Sequence, residues 1–277
     1  MESLEQVERW PCGHVAAAVV SPAGVEASRG ELGRPFSWAS VTKLATAVCV
    51  LVAVEEGLLG LDDPAGPPGA SVRHLLAHAS GLPFEGTTPI AAPGSRRIYS
   101  NAGFELLGEL VALGAGMPFA AYFQAVWGFP LAGSPAHGVE APLDALARVA
   151  SELLAPVRIS AQTLGEATSV QFPGLGGVLP GFGRYEPNDF GLGFELRDSK
   201  SPHWTGGRNS TSSFGHFGRS GGFLWVDPEP RIALACLTDR PFGAWAKDAW
   251  PALSDGVIVE RAQPGPDSYA SPGRASP

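Results

Sequence analysis

Strand-like runs sit near the two ends of this chain and helix-like runs fill its middle, so one sheet has to collect strands from both termini. The apolar runs His14 to Val20 and Val25 to Ser28 flank the turn Ser21-Pro-Ala-Gly24 and predict a hairpin. Strand signals return only at Phe190 to Leu196, Phe223 to Val226 and Ile232 to Leu237, the last two joined by Asp227-Pro-Glu-Pro230. Between them the period is helical. Val41, Leu44, Ala45, Val48, Leu51 and Val52 follow i, i+3, i+4, i+7 spacing and predict an amphipathic helix that ends near Glu56, with Gly57 as its cap. Ser71 can cap a short helix through His78, and a helix over Asn101 to Leu113 carries the stripe Phe104, Leu107 and Val111. Further helical patterns cover 143–154 and 160–168, a closing helix is expected over 243–254, and a short one over 2–10. Residues 172–189 read as a Gly/Pro-rich loop.

This order favours an α+β fold, an antiparallel sheet flanked by helices with an inserted all-helical lobe. With 277 residues, 44% of them hydrophobic, the expectation is a single domain over 1–262. Its α/β lobe would take about 1–56 and 170–262, its helical lobe about 57–169, and a Pro/Ser/Gly-rich tail over 263–277 is expected to be disordered.

Charge and cysteines narrow the function. The net charge is −8, and no Lys/Arg cluster resembles a surface that tracks phosphates, which excludes nucleic acid as a partner. Cys12, Cys49 and Cys236 have no metal-ligand spacing and no disulfide framework, and read as thiols in a reducing compartment. The N-terminus is acidic and lacks a secretory h-region, and the longest apolar stretch, Val48 to Val54, is far below the ~20 residues of a membrane span. A cytoplasmic protein with no membrane contact is expected.

Three short motifs carry chemistry. In Ser40-Val-Thr-Lys43, at the start of the first long helix, residues i and i+3 share a face, roughly 5–6 Å apart at Cβ. Lys43 can there assist deprotonation of Ser40, whose N–H at a helix start can meet a developing oxyanion. Simple capping is the structural alternative, but a lysine in the first turn opposes the helix dipole and a capping box would carry Glu or Gln there. The second motif, Tyr99-Ser-Asn101, precedes the next long helix; a phenol can act as base where cations hold it as phenolate, and Asn101 can bond Lys43 or an acyl amide. Ser100 or Asn101 also fits an N-cap. The third is His216-Phe-Gly218 followed by Arg219, where glycine permits close approach and a backbone N–H can complete an oxyanion hole. His74 and His78, at i, i+4, lack a third ligand, so no metal site and no cofactor are assigned.

In order and spacing the three motifs resemble the serine β-lactamase and penicillin-binding-protein signature, S-x-x-K, then Y-x-N or S-x-N, then K-T-G or H-x-G. The tyrosine in the second points to the branch with class C β-lactamases, D-alanyl-D-alanine carboxypeptidases and esterases. The flanks agree: Phe36-Ser-Trp-Ala before Ser40, Leu61-Asp-Asp-Pro64, His74-Leu-Leu-Ala-His-Ala-Ser-Gly-Leu-Pro83, Pro93-Gly94 and Trp225-Val-Asp-Pro228. The resemblance covers roughly 13–255. It implies a β-lactamase/transpeptidase-like fold and a small-molecule acyl substrate. Ser40 would be the nucleophile and form an acyl-enzyme. Lys43 and Tyr99 would share the base role, with the first acceptor of the proton left open. Asn101 would position substrate or Lys43, and His216 and Gly218 would line the third-motif strand. The N–H groups of Ser40 and Arg219 would form the oxyanion hole.

His216 and Phe217 stand where K-T-G supplies a fixed cation and a hydroxyl for a substrate carboxylate, so carboxylate recognition would fall to Arg219 or Arg208. The expected activity is therefore a serine hydrolase, an esterase or amidase. The alternatives are a transacylase serving a small-metabolite amine or alcohol, a β-lactamase or D-alanyl peptidase, and a non-catalytic binding module.

Overall fold

In the computed structural model, which describes residues 1–262, the strand hairpin comes first: β1 (Val15–Ser21) and β2 (Gly24–Gly30). After the two-residue strand β3 (Phe36–Ser37), a 3₁₀ turn over Ala39–Val41 leads into α1 (Thr42–Glu55). Then come α2 (Val72–Leu76), α3 (Asn101–Ala115), α4 (Phe119–Trp127), β4 (Glu140–Ala141), α5 (Leu143–Leu154) and α6 (Ala161–Ala167). The chain closes with β5 (Gly177–Leu179), β6 (Gly183–Tyr185), β7 (Glu195–Leu196), β8 (Phe214–Phe217), β9 (Phe223–Asp227), β10 (Ile232–Thr238) and α7 (Ala244–Ala262). The tail over 263–277 lies outside the described residues.

The main sheet is six-stranded, in the order β2-β1-β10-β9-β8-β7, and its described pairings are antiparallel. Strands from both termini meet at β1 and β10, where Val15 faces Thr238 and Val20 faces Ala233. The fold is α+β, as the order of signals predicts. β1 is apolar without polar alternation because both of its faces are covered. Ala16, Ala18 and Val20 belong to one buried cluster, and Ala17 and Val19 to the other. The first cluster includes α5, which lies across β1, β9 and β10; the second includes α7 and the N-terminal 3₁₀ helix Glu2–Arg9.

Several expectations are corrected. The first long helix is not amphipathic: residues 42–51 and Ala53 of α1 are buried, because α3 and α4 pack against it and β8 abuts it. The stretch 190–196 forms strand only at Glu195–Leu196, with an isolated bridge from Phe190 to Glu195. Within 172–189, β5 and β6 make a small hairpin where a loop is expected. α4 had no counterpart in the sequence reading, and α7 runs past residue 254 with Pro251 inside it. Ser71 does not cap α2 with its side chain; its hydroxyl pairs with His74 Nδ1 at 2.9 Å. Among the described residues, no single helix is long and apolar enough to cross a membrane.

Candidate active site

Ser40 enters its position through a strained backbone: Ala39, just before it, has φ +45°. The 3₁₀ turn presents Ser40 at the mouth of the first turn of α1, where Lys43 is fully buried. Lys43 Nζ lies 3.3 Å from Ser40 Oγ, 2.7 Å from Asn101 Oδ1 and 3.0 Å from the Ala136 carbonyl oxygen. It also stands 4.8 Å from the centre of the Tyr99 ring. Burial lowers the Lys43 pKa to about 7, with Glu105 acting weakly in the opposite sense.

Tyr99 and Asn101 arrive from the start of α3. Ser100 caps that helix, its side-chain oxygen accepting from Gly103 N–H at 3.0 Å, and this turns Tyr99 and Asn101 toward Lys43. Tyr99 packs against His78, ring centres 4.6 Å apart, and against His216 at 5.6 Å. Its hydroxyl is enclosed beside the Ser40 hydroxyl without a well-aligned hydrogen bond, and burial raises its pKa above the ordinary tyrosine value. The Ser40 side chain acts weakly the other way. Burial thus favours the protonated phenol of Tyr99 over the phenolate.

β8 brings His216, and the turn after it brings Gly218 and Arg219. A Cβ on Gly218 would stand 2.4 Å from the Trp38 carbonyl oxygen, so only glycine lets β8 close on the backbone that carries Ser40. The Arg219 and Ser40 N–H groups have no protein acceptor among the described residues, and both residues line one cavity. That cavity, about 260 Å³, also takes in Tyr99, His216 and Phe217, with Phe84, Leu179, Phe190 and Phe242 as apolar walls. The structure thus brings together Ser40, Lys43, Tyr99, Asn101, His216, Gly218 and Arg219. It does not bring Arg208 there: that residue lies in a separate surface cavity with Asp227 and Glu229.

Arg97, His78 and Glu195, to which the three motifs give no role, support this arrangement. Arg97 is buried, and its guanidinium donates to the carbonyls of Ala77, Gln171 and Asn188 at 2.6, 2.8 and 3.1 Å. This clamps the segment bearing β5 beside Tyr99. His78 is neutral, its pKa far below the ordinary value through burial and then the charge of Lys43; its Nδ1 accepts from Ser100 N–H at 3.1 Å. His74 and His78 serve separate partners, since His74 packs on Phe172 at 4.2 Å. Glu195 lines the cavity from beneath as a buried carboxylate that accepts from Lys200, from His203 Nε2 at 3.0 Å and from Trp204 Nε1 at 2.9 Å. Only a polar residue inside an apolar run marked Glu195 in the sequence.

A second, larger cavity of about 670 Å³ is lined by Asn101, Leu82, Glu85, Glu105, Glu109 and His137.

Comparison with known proteins gives four findings. The family profile "Beta-lactamase" matches residues 24–134. The crystal structure of a β-lactamase from Mycobacterium bovis is 52% identical, with TM-score 0.92, covering 94% of this chain and 100% of that one. EstCE1, a hydrolase with promiscuous acyltransferase activity, shares the fold at TM-score 0.76 and 15% identity, covering 93% and 97%. Penicillin-binding protein 4* of Bacillus subtilis is 29% identical over 122 residues, which is 32% of this chain and 27% of the relative's length.

Proposed function

The chain belongs to the serine β-lactamase and penicillin-binding-protein-like family, and from that premise we propose that it is a serine hydrolase that works through an acyl-enzyme on Ser40, as an esterase or amidase on a small-molecule acyl substrate. The observation that carries the proposal is Lys43 Nζ at 3.3 Å from Ser40 Oγ, desolvated, with Asn101 Oδ1 and the Ala136 carbonyl as its other partners. Lys43 in its neutral form takes the proton as Ser40 Oγ attacks the acyl carbon. The carbonyl oxygen becomes an oxyanion held by the Ser40 and Arg219 N–H groups. The proton passes from Lys43 through the Tyr99 hydroxyl to the leaving oxygen or nitrogen, and the acyl–leaving-group bond breaks. Water then attacks the acyl-enzyme, and Ser40 Oγ regains a proton as the acid departs.

Transfer to an amine or alcohol in place of water is the second reading. The fold the chain shares with EstCE1, a hydrolase with promiscuous acyltransferase activity, supports this reading. β-Lactam turnover is the third, supported by the Mycobacterium bovis neighbour. The three unpaired cysteines support a reducing, cytoplasmic setting.

Intact-protein mass after incubation with 4-nitrophenyl acetate, and separately with penicillin, tests the proposal on wild type and Ser40→Ala. A serine-dependent adduct or turnover with the ester is expected; none with either reagent refutes the acyl-enzyme. Added amines that divert the acyl group would promote transfer over hydrolysis, and rapid nitrocefin turnover would promote the third reading.

A further inference from the structure

The cavity in front of Ser40 contains a hydrogen-bonding group whose polarity is opposite to what a carboxylate needs. His216 is 5% exposed, and its Nδ1 lies 2.6 Å from the Phe217 carbonyl oxygen. A carbonyl oxygen only accepts, so Nδ1 is the protonated nitrogen. In a neutral imidazole the other nitrogen is then a bare acceptor. That nitrogen, Nε2, is enclosed and has no protein partner.

The surroundings keep the ring neutral. Burial, then the nearby Lys43, lower its pKa to about 3, while the Phe217 carbonyl and Glu195 act weakly in the opposite direction. Lys43 comes from α1, Glu195 from β7 and Arg219 from the turn after β8. Phe217, which follows His216, turns into a wall of aromatic rings with Phe182, Phe242 and Trp250, so it offers no hydroxyl to a ligand. A carboxylate placed beside His216 would set acceptor against acceptor. An N–H or O–H there would satisfy a buried polar atom that the protein leaves unpaired.

We infer that His216 Nε2 accepts a hydrogen bond from an N–H or O–H carried by the acyl group near its reacting carbonyl, so that the site selects hydroxyacyl or acylamino donors over carboxylate-bearing ones. This rests on Ser40 being the acylated residue. Selectivity comes from the unpaired acceptor, because a donor-free acyl group leaves it buried and unsatisfied. The apolar walls add affinity without discriminating between the two.

The test compares 4-nitrophenyl 3-hydroxybutanoate with its 3-methoxy analogue and with mono-4-nitrophenyl succinate, each corrected for spontaneous hydrolysis. Wild type is expected to favour the hydroxy ester over the methoxy ester by about tenfold in kcat/KM, the size of one hydrogen bond, with the succinate no better than the methoxy ester. In His216→Lys the hydroxy preference should collapse and the succinate should overtake it. A flat wild-type ratio, or a ratio unchanged in His216→Lys, overturns the inference. A second arm needs no turnover: ¹⁵N-histidine NMR of Ser40→Ala, with His216 assigned through its loss in His216→Gln. The Nδ1–H tautomer is expected between pH 6 and 8, and 3-hydroxybutanamide should shift the Nε2 resonance where 3-methoxybutanamide does not. An Nε2–H tautomer, an imidazolium, or equal responses to both amides overturns the inference. Absence of all ester turnover with a selective amide response would instead refute the acyl-enzyme and leave the His216 contact standing.

Discussion

Lys43 Nζ reaches Ser40 Oγ at 3.3 Å while its other two hydrogen-bond directions end on Asn101 Oδ1 and the Ala136 carbonyl oxygen. Both of those oxygens only accept. A neutral amine has two N–H groups and one lone pair, so the two N–H groups go to the oxygens and the lone pair is left for the serine hydroxyl. Asn101 and Ala136 thus aim Lys43 as a base, in addition to holding it in place.

The pH dependence follows from this. Lys43 is a base only when deprotonated, and burial lowers its pKa to about 7. The kcat/KM for an uncharged ester should therefore rise with pH, pass its midpoint near 7 and level off above. A profile with its only rise near 10 would show that Lys43 is not desolvated as the structure has it.

Tyr99→Phe separates the two base candidates. The Tyr99 phenol has a raised pKa through burial, so it carries the proton onward and does not start as phenolate. The variant should lose roughly 10²–10⁴ in kcat and keep the midpoint near 7 that belongs to Lys43. Disappearance of that midpoint in the steady-state profile would return the first proton to Tyr99.

Gly218→Ala tests the oxyanion hole. Its Cβ would press to 2.4 Å on the Trp38 carbonyl, pushing β8 and the Arg219 N–H away from Ser40. A fall of about 10²–10³ in kcat is expected, with KM changed far less. Wild-type turnover in a folded variant would remove Arg219 from the oxyanion hole.

Glu195→Gln tests the buried support. Burial raises the Glu195 pKa, but His203 and Lys200 more than reverse this and hold the carboxyl below its ordinary range. Its folded pKa lies under the free value of 4.5, so the stabilisation is whole above that pH and is lost as pH falls through the folded value. The variant leaves Lys200 facing a neutral amide and should lose about 3–5 kcal/mol at pH 7, with the gap narrowing below pH 4.5. Urea unfolding at pH 7 and pH 3.5 checks this; equal midpoints at pH 7 would show the pair contributes nothing.

The sequence by itself determined what depends on neighbours along the chain. The i, i+3 register of Ser40 and Lys43, the cap at Ser100, the hairpin turn before Gly24 and the strands around Asp227-Pro-Glu-Pro230 are local, and helix and turn geometry makes them legible. α4 and the β5–β6 hairpin escaped because short apolar or glycine-rich segments carry little period of their own. Tertiary structure alone decided the chemical state of the site. The desolvation of Lys43, the proton on His216 Nδ1, the neutral phenol of Tyr99 and the clamp made by Arg97 arise where segments far apart in sequence exclude water together. Burial and hydrogen-bond partners set those states, and both belong to the packed structure, not to any stretch of residues.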